Sequence, residues 1–233
     1  METYGVAFDG KHTGRDYGLE WVNPLKLEFP DAKGDSIDLP GQDGNLDLTP
    51  FWGDVKYKNR KAELHFRYDG DYTLWHIVSS RIANDLHGRR RKVVLDTEPD
   101  YVYYATVSVE AEKENLMDCD MAIILDADPY KYERYGSLEK WVWGTFSFRT
   151  GIIRDYNGLA VDGTLSLTIP GRRKKVVPVF ECSEAMTVEY AGRAYDLPAG
   201  RSKILDLQLG EGEHVLTFAG SGTVSVDYRG GSL

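Results

Sequence analysis

The octapeptide Gly5-Val6-Ala7-Phe8-Asp9-Gly10-Lys11-His12 comes within one residue of a phosphate-binding loop of the form G-x-x-x-x-G-K-[ST]. In such a loop backbone N–H groups cradle the phosphates, the lysine reaches the terminal ones, and a Ser or Thr hydroxyl holds magnesium. Here His12 stands where the hydroxyl should be, and too little chain precedes it for a buried parallel strand. Thr13-Gly14 is not expected to open a helix. The segment therefore reads as a turn between two N-terminal strands.

The other chemistry-bearing residues form no better constellation. His12, His65, His76, His87 and His214 are scattered, and none forms an H-E-x-x-H pair or an H-x-E beside a Cys pair. His65 alternates with apolar neighbours and is expected to face solvent, whereas His87 precedes a helix stop and is expected to meet terminal carbonyls. Carboxylates are abundant, but flanking a glycosidic bond requires a spatial separation that a sequence does not supply. No G-x-S-x-G elbow occurs, Ser221 between Gly220 and Gly222 reads as a turn, and the Asp43 region lacks the spacing of a calcium loop. Cys119 and Cys182 lie too far apart for a CxxC site and are expected in different domains without a disulfide. The runs Arg89-Arg90-Arg91-Lys92 and Arg172-Arg173-Lys174-Lys175 lack interleaved aromatics and read as solvated turns. A phosphate or acidic-partner site and a subunit interface are other uses of the same residues. No catalytic residue, metal ligand or cofactor site is assigned, and an enzyme is not expected.

Composition points the same way. The 233 residues are 42% hydrophobic and 28% charged, which suits a chain that buries a core. A formal net charge of -9 argues against gripping nucleic acid through its phosphates, while remaining common in soluble proteins. Neither a signal-like leader nor an apolar run of about 18 residues or more is visible, so no membrane insertion is expected.

The elements that would position these residues are mostly strands. One helix is expected from Asp71, a plausible N-cap, with Leu74, Ile77, Val78, Ile82 and Leu86 at helical spacing, Trp75 at the stripe's edge and Gly88 as the stop. Ala62, Leu64, Phe66 and Tyr68 alternate with Glu63, His65 and Arg67, and residues 93–95, 101–109 and 122–125 are rich in β-branched and aromatic residues. The less regular stretch Lys11 to Asp35 suits an arm or long hairpin better than a core strand. Between Ile37 and Thr49, Pro40-Gly41 and Asp43-Gly44 punctuate two short alternating runs, and Asp43-Gly44 can supply the positive-φ positions of a tight hairpin.

After Glu133-Arg134-Tyr135-Gly136-Ser137 no helix pattern recurs. Short strands are expected at 141–148, 165–169, 176–182, 187–190, 201–207, 214–218 and 223–228. The expected architecture is mainly β. An N-terminal α+β domain with one main helix, 1–133, carries an arm or long hairpin around 20–50, and an antiparallel β-sandwich follows over 137–233.

Read in order, these segments resemble the distal tail proteins of bacteriophages with long, non-contractile tails. The likeness rests on Ala7-Phe8-Asp9-Gly10-Lys11 with Tyr17-Gly18-Leu19, on Asp38-Leu39-Pro40-Gly41-Gln42-Asp43-Gly44 with Leu46-Asp47-Leu48-Thr49, and on Gly53, Tyr57 and Asn59-Arg60. Leu86-His87-Gly88, the tyrosines between Asp96 and Tyr104, and Asp128-Pro129-Tyr130-Lys131-Tyr132 complete the N-terminal match. The C-terminal half is similar more loosely, at Ile169-Pro170, Pro178 and Ser221 to Leu233.

The resemblance implies a structural hub at the virion tail tip, made and assembled in the host cytoplasm, whose N-terminal domain forms a ring, usually a hexamer, around the tail channel. A galectin-like or related sandwich would lie at its periphery. The implied partners are other copies of the chain, the tail-tube protein, a tail-associated lysin or fibre base, and receptor-binding proteins. DNA would pass through without specific binding, along a wall on which acidic residues are expected. In a ring, Leu39, Pro40, Gly41, Asp43, Gly44, Leu46 and Leu48 are the expected subunit-interface arm, swapping or adding a strand on the neighbour. The alternative reading is a carbohydrate-binding sandwich, with Trp141 and Trp143 two residues apart on one strand face and placed to stack on sugar. A wall-degrading hydrolase fits worst, for want of any marked catalytic set.

Overall fold

A computed structural model describes residues 4–22, 26–34, 36–41, 43–48, 53–112, 119–139 and 155–233. The strand expected over 141–148 lies outside them. The chain divides into two compact units, Met1–Pro129 with Leu233, and Tyr130–Ser232. The architecture is mainly β, as expected, with antiparallel sheets and one main helix.

The first unit contains β1 (Val6–Phe8), β2 (Lys11–His12), β3 (Leu19–Trp21), β4 (Lys26–Leu27), β5 (Ser36–Asp38), β6 (Asn45–Asp47), β7 (Arg60–Tyr68), β8 (Arg90–Leu95), β9 (Tyr101–Glu112) and β10 (Asp120–Ala127). Its main sheet runs β2-β1-β8-β9-β10-β7-β3, with β4 also on β7, and every pair within it is antiparallel. The alternation read in β7 sends Ala62, Leu64 and Phe66 into the core, with Glu63 and His65 half-buried and Arg67 exposed on the opposite face. Residues 19–21 and 26–27 belong to this sheet. Their irregular sequence reflects short strands on β7 rather than a free arm, because Leu19 is buried opposite Tyr68.

The helix α2 (Trp75–Leu86) covers the core face, but its buried stripe differs from the expected one. Trp75, at 4% exposure, sits at the centre of the buried face with Ile82 and Leu86, whereas Ile77 is 57% exposed. Asp71 caps a 3-10 turn, Tyr72–Leu74, through Thr73 N, and the helix begins only after it. That delay leaves Leu74 outside the helix and sets the phase by Trp75, which stacks on Tyr68 with ring centroids 5.6 Å apart. At the other end His87 Nδ1 accepts from Val109 N at 3.0 Å, a strand amide rather than the helix carbonyls expected.

The near-phosphate loop is a turn between β1 and β2, with Asp9 and Gly10 at positive φ. Contrary to expectation, Thr13 does open a helix, α1 (Thr13–Tyr17). His12 makes this possible, since its Nδ1 accepts from Gly14 N and Arg15 N while its own N–H donates to Asp16 Oδ2. The ring proton is thereby placed on Nε2, which faces Asp96 Oδ2 at 2.9 Å. β1 is antiparallel to β8, so the parallel strand of a phosphate loop is not what precedes this turn.

Asp85, near the end of α2, ties these pieces together. Its carboxylate accepts from Lys11 Nζ and Tyr17 Oη, each at 2.6 Å, and Arg91 bridges Asp85 to Asp9. The run 89–92 is therefore largely strand and ion-paired rather than a solvated turn, with Arg90 also on Asp128 at 2.6 Å. Hydrogen bonds from Lys11 and Tyr17 hold the Asp85 carboxyl below its ordinary value, and burial with the neighbouring carboxylate pushes the Tyr17 phenol up.

The second unit is organised by one long antiparallel ribbon, β12 (Leu159–Gly171) against β17 (Gly212–Asp227). The sequence suggests two strands and a turn at Ser221, but β17 runs through it unbroken. Gly220 lies opposite Gly163, and both have positive φ, so the ribbon bends without losing its pairing. Leu216 and Phe218 before the bend, and Val224 and Val226 after it, keep the same parity and all point into one core. Before the bend β17 pairs with β14 (Met186–Tyr190), and after it with β13 (Val179–Cys182). β15 (Arg193–Leu197) and β16 (Gly200–Lys203) extend the sheet on either side. The β13–β14 turn lies so close that a Cβ on Gly220 would sit 2.7 Å from Met186 Cβ, and one on Gly222 would sit 2.5 Å from Ser183 Oγ.

Within this unit β11 (Lys131–Glu133) pairs with β18 (Gly231–Ser232). The second basic run also departs from a solvated turn. Lys174 Nζ bonds Tyr132 Oη at 2.7 Å, its backbone N–H donates to Gly231 O, and Arg172 Nε bonds Glu133 Oε1 at 3.0 Å.

Two outcomes follow from these contacts. Gly220→Val should destabilise the protein by about 2–4 kcal/mol in urea unfolding, because the added side chain meets backbone-anchored neighbours at a positive φ; Ser221→Ala, on the exposed side, should stay within about 0.5 kcal/mol. Asp85→Asn should cost about 1 kcal/mol at neutral pH, a figure discounted for partial exposure. Since the folded pKa is depressed, that difference should persist above about pH 4 and vanish as the pH falls through the lowered value.

Candidate functional site

The expected arm is a separate two-stranded sheet, β5 against β6, with Ser36 opposite Asp47, Ile37 opposite Leu46 and Asp38 opposite Asn45. The connection spans residues 39–44, longer than a tight two-residue turn. Gly41 and Gly44 take positive φ values, 89° and 79°. Glycine supplies such left-handed steps at least cost. Ile37 and Leu46 are a cross-strand pair and so share one face of the hairpin, with Leu39 and Leu48 just beyond the strand ends. Asp38 and Asn45 take the other. Ile37 is 47% and Leu46 44% exposed, with Leu39 also exposed and Leu48 half-buried.

Of the residues singled out from sequence, the arm thus brings Leu39, Pro40, Gly41, Asp43, Gly44, Leu46 and Leu48 together in one projecting hairpin. Ile37 completes its apolar face. Trp141 and Trp143, the candidate sugar-stacking pair, lie outside the described residues.

The root of the arm is closed by backbone pairing. Ala32 bridges Tyr57, Lys33 N donates to Lys56 O at 2.7 Å, and Lys58 N donates to Asp31 O at 2.8 Å. Immediately below lies Arg60, which occupies the core parity of β7 and is 3% exposed. Its Nε donates to Glu28 O at 3.1 Å, and its guanidinium lies over the rings of Phe29 and Tyr103, at 5.7 and 5.5 Å. Tyr103 Oη in turn donates to Glu98 Oε2 at 2.5 Å. Burial lowers the Arg60 pKa, opposed by the Tyr103 and Glu98 charges; burial and the Glu98 bond raise that of Tyr103. A buried cation set against two rings and bonded to the Glu28 carbonyl ties residues 28 and 29, before the arm, to β7. No role for Arg60 was assigned from sequence, although an arginine in phase with Ala62, Leu64 and Phe66 is a readable signal.

Chemistry is sparse elsewhere. Among the described residues no group of His, Cys, Asp and Glu is arranged to hold a metal, and no helix is long and apolar enough to cross a membrane. His214 accepts from Tyr190 Oη through Nδ1 at 2.8 Å and donates from Nε2 to Gly210 O, while His65 faces Glu63 at 3.1 Å. Cys119 and Cys182 are buried free thiols, one in each unit, and burial pushes the Cys182 thiol up.

A mainly β chain with an exposed two-stranded hairpin in its first unit, and no metal-holding group among the described residues, has the fold of a phage distal tail hub protein. The solved structure that establishes this is the Dit protein of phage SPP1, a paradigm of the hub adsorption apparatus in phages infecting Gram-positive bacteria. The TM-score is 0.64 over 98% of this chain and 99% of that one, at 12% sequence identity, so the likeness is one of fold. No family model and no curated protein sequence matches the chain.

Arg60→Met keeps the aliphatic stem but removes the stacked cation and its bond to Glu28. It should cost about 1–3 kcal/mol in urea unfolding and speed proteolytic cleavage between residues 28 and 58, read by mass spectrometry of the fragments.

Proposed function

We propose that this chain is the distal tail hub of a long-tailed phage or prophage, a structural virion protein that assembles with copies of itself into a ring, hexameric by the family resemblance. The reading assigns ring formation to residues 1–133 and a peripheral, galectin-like role to 137–233. The ring joins the tail tube to the tail tip or baseplate, meets a lysin or fibre base on its far side, anchors receptor-binding proteins, and lets DNA pass without specific binding.

The observation that carries this reading is the hairpin. Two strands in water are marginal by themselves, and this pair leaves its apolar face, with Ile37 and Leu46, partly exposed in the single chain. A second copy that covers that face stabilises the hairpin and links the subunits in one step. The whole-length fold likeness to a hub protein supports the same conclusion.

Sedimentation velocity with negative-stain imaging tests it. The wild-type protein should form closed rings with a central hole. Replacing residues 36–48 by a short Gly-Ser linker should leave a folded monomer, because β4 and β7 remain in the sheet. Rings that persist in the deletion would remove the arm from the assembly, and a wild-type chain that stays monomeric at every concentration would remove the hub reading itself.

A further inference from the structure

We propose that Asn157 is a self-modification site: its side chain closes on the backbone nitrogen of Gly158 to give a succinimide with loss of ammonia, and the Ser225 hydroxyl relays the proton that the closure moves. The proposal stands apart from the hub reading and from the arm.

Ring closure joins the asparagine side-chain carbon to the backbone nitrogen of the next residue, so it is fastest where that residue has no Cβ to obstruct the approach. The chain has six asparagines, at 23, 45, 59, 84, 115 and 157, and only Asn157 precedes a glycine. Asn157 and Gly158 are both exposed, in a bend that leads from Tyr156 into β12. Gly158 has a φ of 63°, which glycine adopts without strain.

Ser225, on β17, supplies the chemistry. Gly158 N donates to Ser225 Oγ at 2.9 Å, and Ser225 Oγ donates to Asn157 Oδ1 at 3.1 Å. A serine hydroxyl has one proton to give and lone pairs to accept another. The two bonds therefore form a directed chain from the nucleophile through the hydroxyl to the carbonyl oxygen. As the Gly158 nitrogen bonds to Asn157 Cγ, its proton passes to Ser225 Oγ, and the serine proton passes to Oδ1, where negative charge would otherwise develop. The tetrahedral carbon then expels Nδ2 as ammonia, which takes up the Oδ1 proton, and the five-membered imide remains. Water, the only co-reactant, opens the imide at either carbonyl to give aspartate or isoaspartate.

The surrounding backbone gives the reaction a consequence. Tyr156 N donates to Ser137 O at 3.1 Å, and Tyr156 O accepts from Val226 N at 2.9 Å. Leu159, on the other side, is paired with Val224. An isoaspartyl link carries the main chain through Cβ and so adds one bond to a segment fixed at both ends, while either product adds a carboxylate. The modification is a one-way loosening of the first pair of the β12–β17 ribbon, set by elapsed time rather than by a partner.

Hydrogen bonds that merely restrained the bend would slow closure, whereas a relay speeds it, so removing the hydroxyl gives effects of opposite sign. The test incubates the full chain at mildly alkaline pH. Peptide mapping by mass spectrometry follows conversion of the amide at 157 to a carboxyl, and enzymatic methylation reports isoaspartate. Folded wild-type protein should convert Asn157 faster than the same chain unfolded in urea. Ser225→Ala should slow conversion in the folded protein by roughly tenfold, below the usual range of general acid–base assistance because a neutral hydroxyl is a weak base. Ser225→Thr, which keeps a hydroxyl on a residue suited to a strand, should retain the wild-type rate. Conversion that is slower in the fold than in urea, or as fast or faster in Ser225→Ala, overturns the relay. Should Ser225→Ala fail to fold, the comparison of folded with unfolded wild type decides alone.

Discussion

The register of β7 against β10 is the constraint from which the first unit follows. Eight paired residues, from Arg67 opposite Asp120 to Arg60 opposite Ala127, decide which side of β7 faces the core. In this register Ala62, Leu64 and Phe66 are buried with Met121, Ile123 and Leu125, and the Arg67–Asp120 ion pair lies outside at 2.8 Å. A slip of one residue would exchange the two faces and carry Arg60 from its stack on Tyr103 into solvent. The position of the arm therefore depends on core packing as much as on the hairpin. The other edge of β7 takes β3 and β4, which fixes how much of the preceding chain is free to leave the sheet.

Where local sequence and tertiary pairing agree, the fold was legible. The alternation over 62–68 and the Pro-Gly and Asp-Gly punctuation near 40–44 identified a core strand and a hairpin, and the helical periodicity identified α2. Disagreements arose where a distant partner decided. Gly220-Ser221-Gly222 has the composition of a turn, yet β12 pairs across it and turns the same flexibility into a bend. His12 is an unusual helix cap, and Asp96, which faces its other nitrogen, lies 84 residues away. Trp75 became the centre of the buried helix face because a 3-10 turn shifted the start of the helix past Leu74. Of the candidate site, the loop glycines and leucines were readable in place. Arg60 stood in the sequence only as part of the Asn59-Arg60 motif, because its burial depends on Phe29 and Tyr103, which are distant in the chain.

The two units use opposite strategies for exposed strands. The second wraps a curled sheet around its own core, with Phe180 and Phe218 edge to face at 5.9 Å, and clasps its first strand to its last through Lys174. The first keeps a separate hairpin whose apolar side chains are partly exposed. An acidic rim on that hairpin favours solubility of the free chain and disfavours indiscriminate sheet-edge pairing.

The bent ribbon also determines how the second unit bears load. Two strands joined by thirteen consecutive pairs and pulled in opposite senses along their length strain many hydrogen bonds together, whereas separate short hairpins pulled at their ends open one bond after another. The glycines at the bend let one ribbon contribute to both halves of the curled sheet without a loop between them. Tension along the ribbon is then carried through continuous backbone pairing.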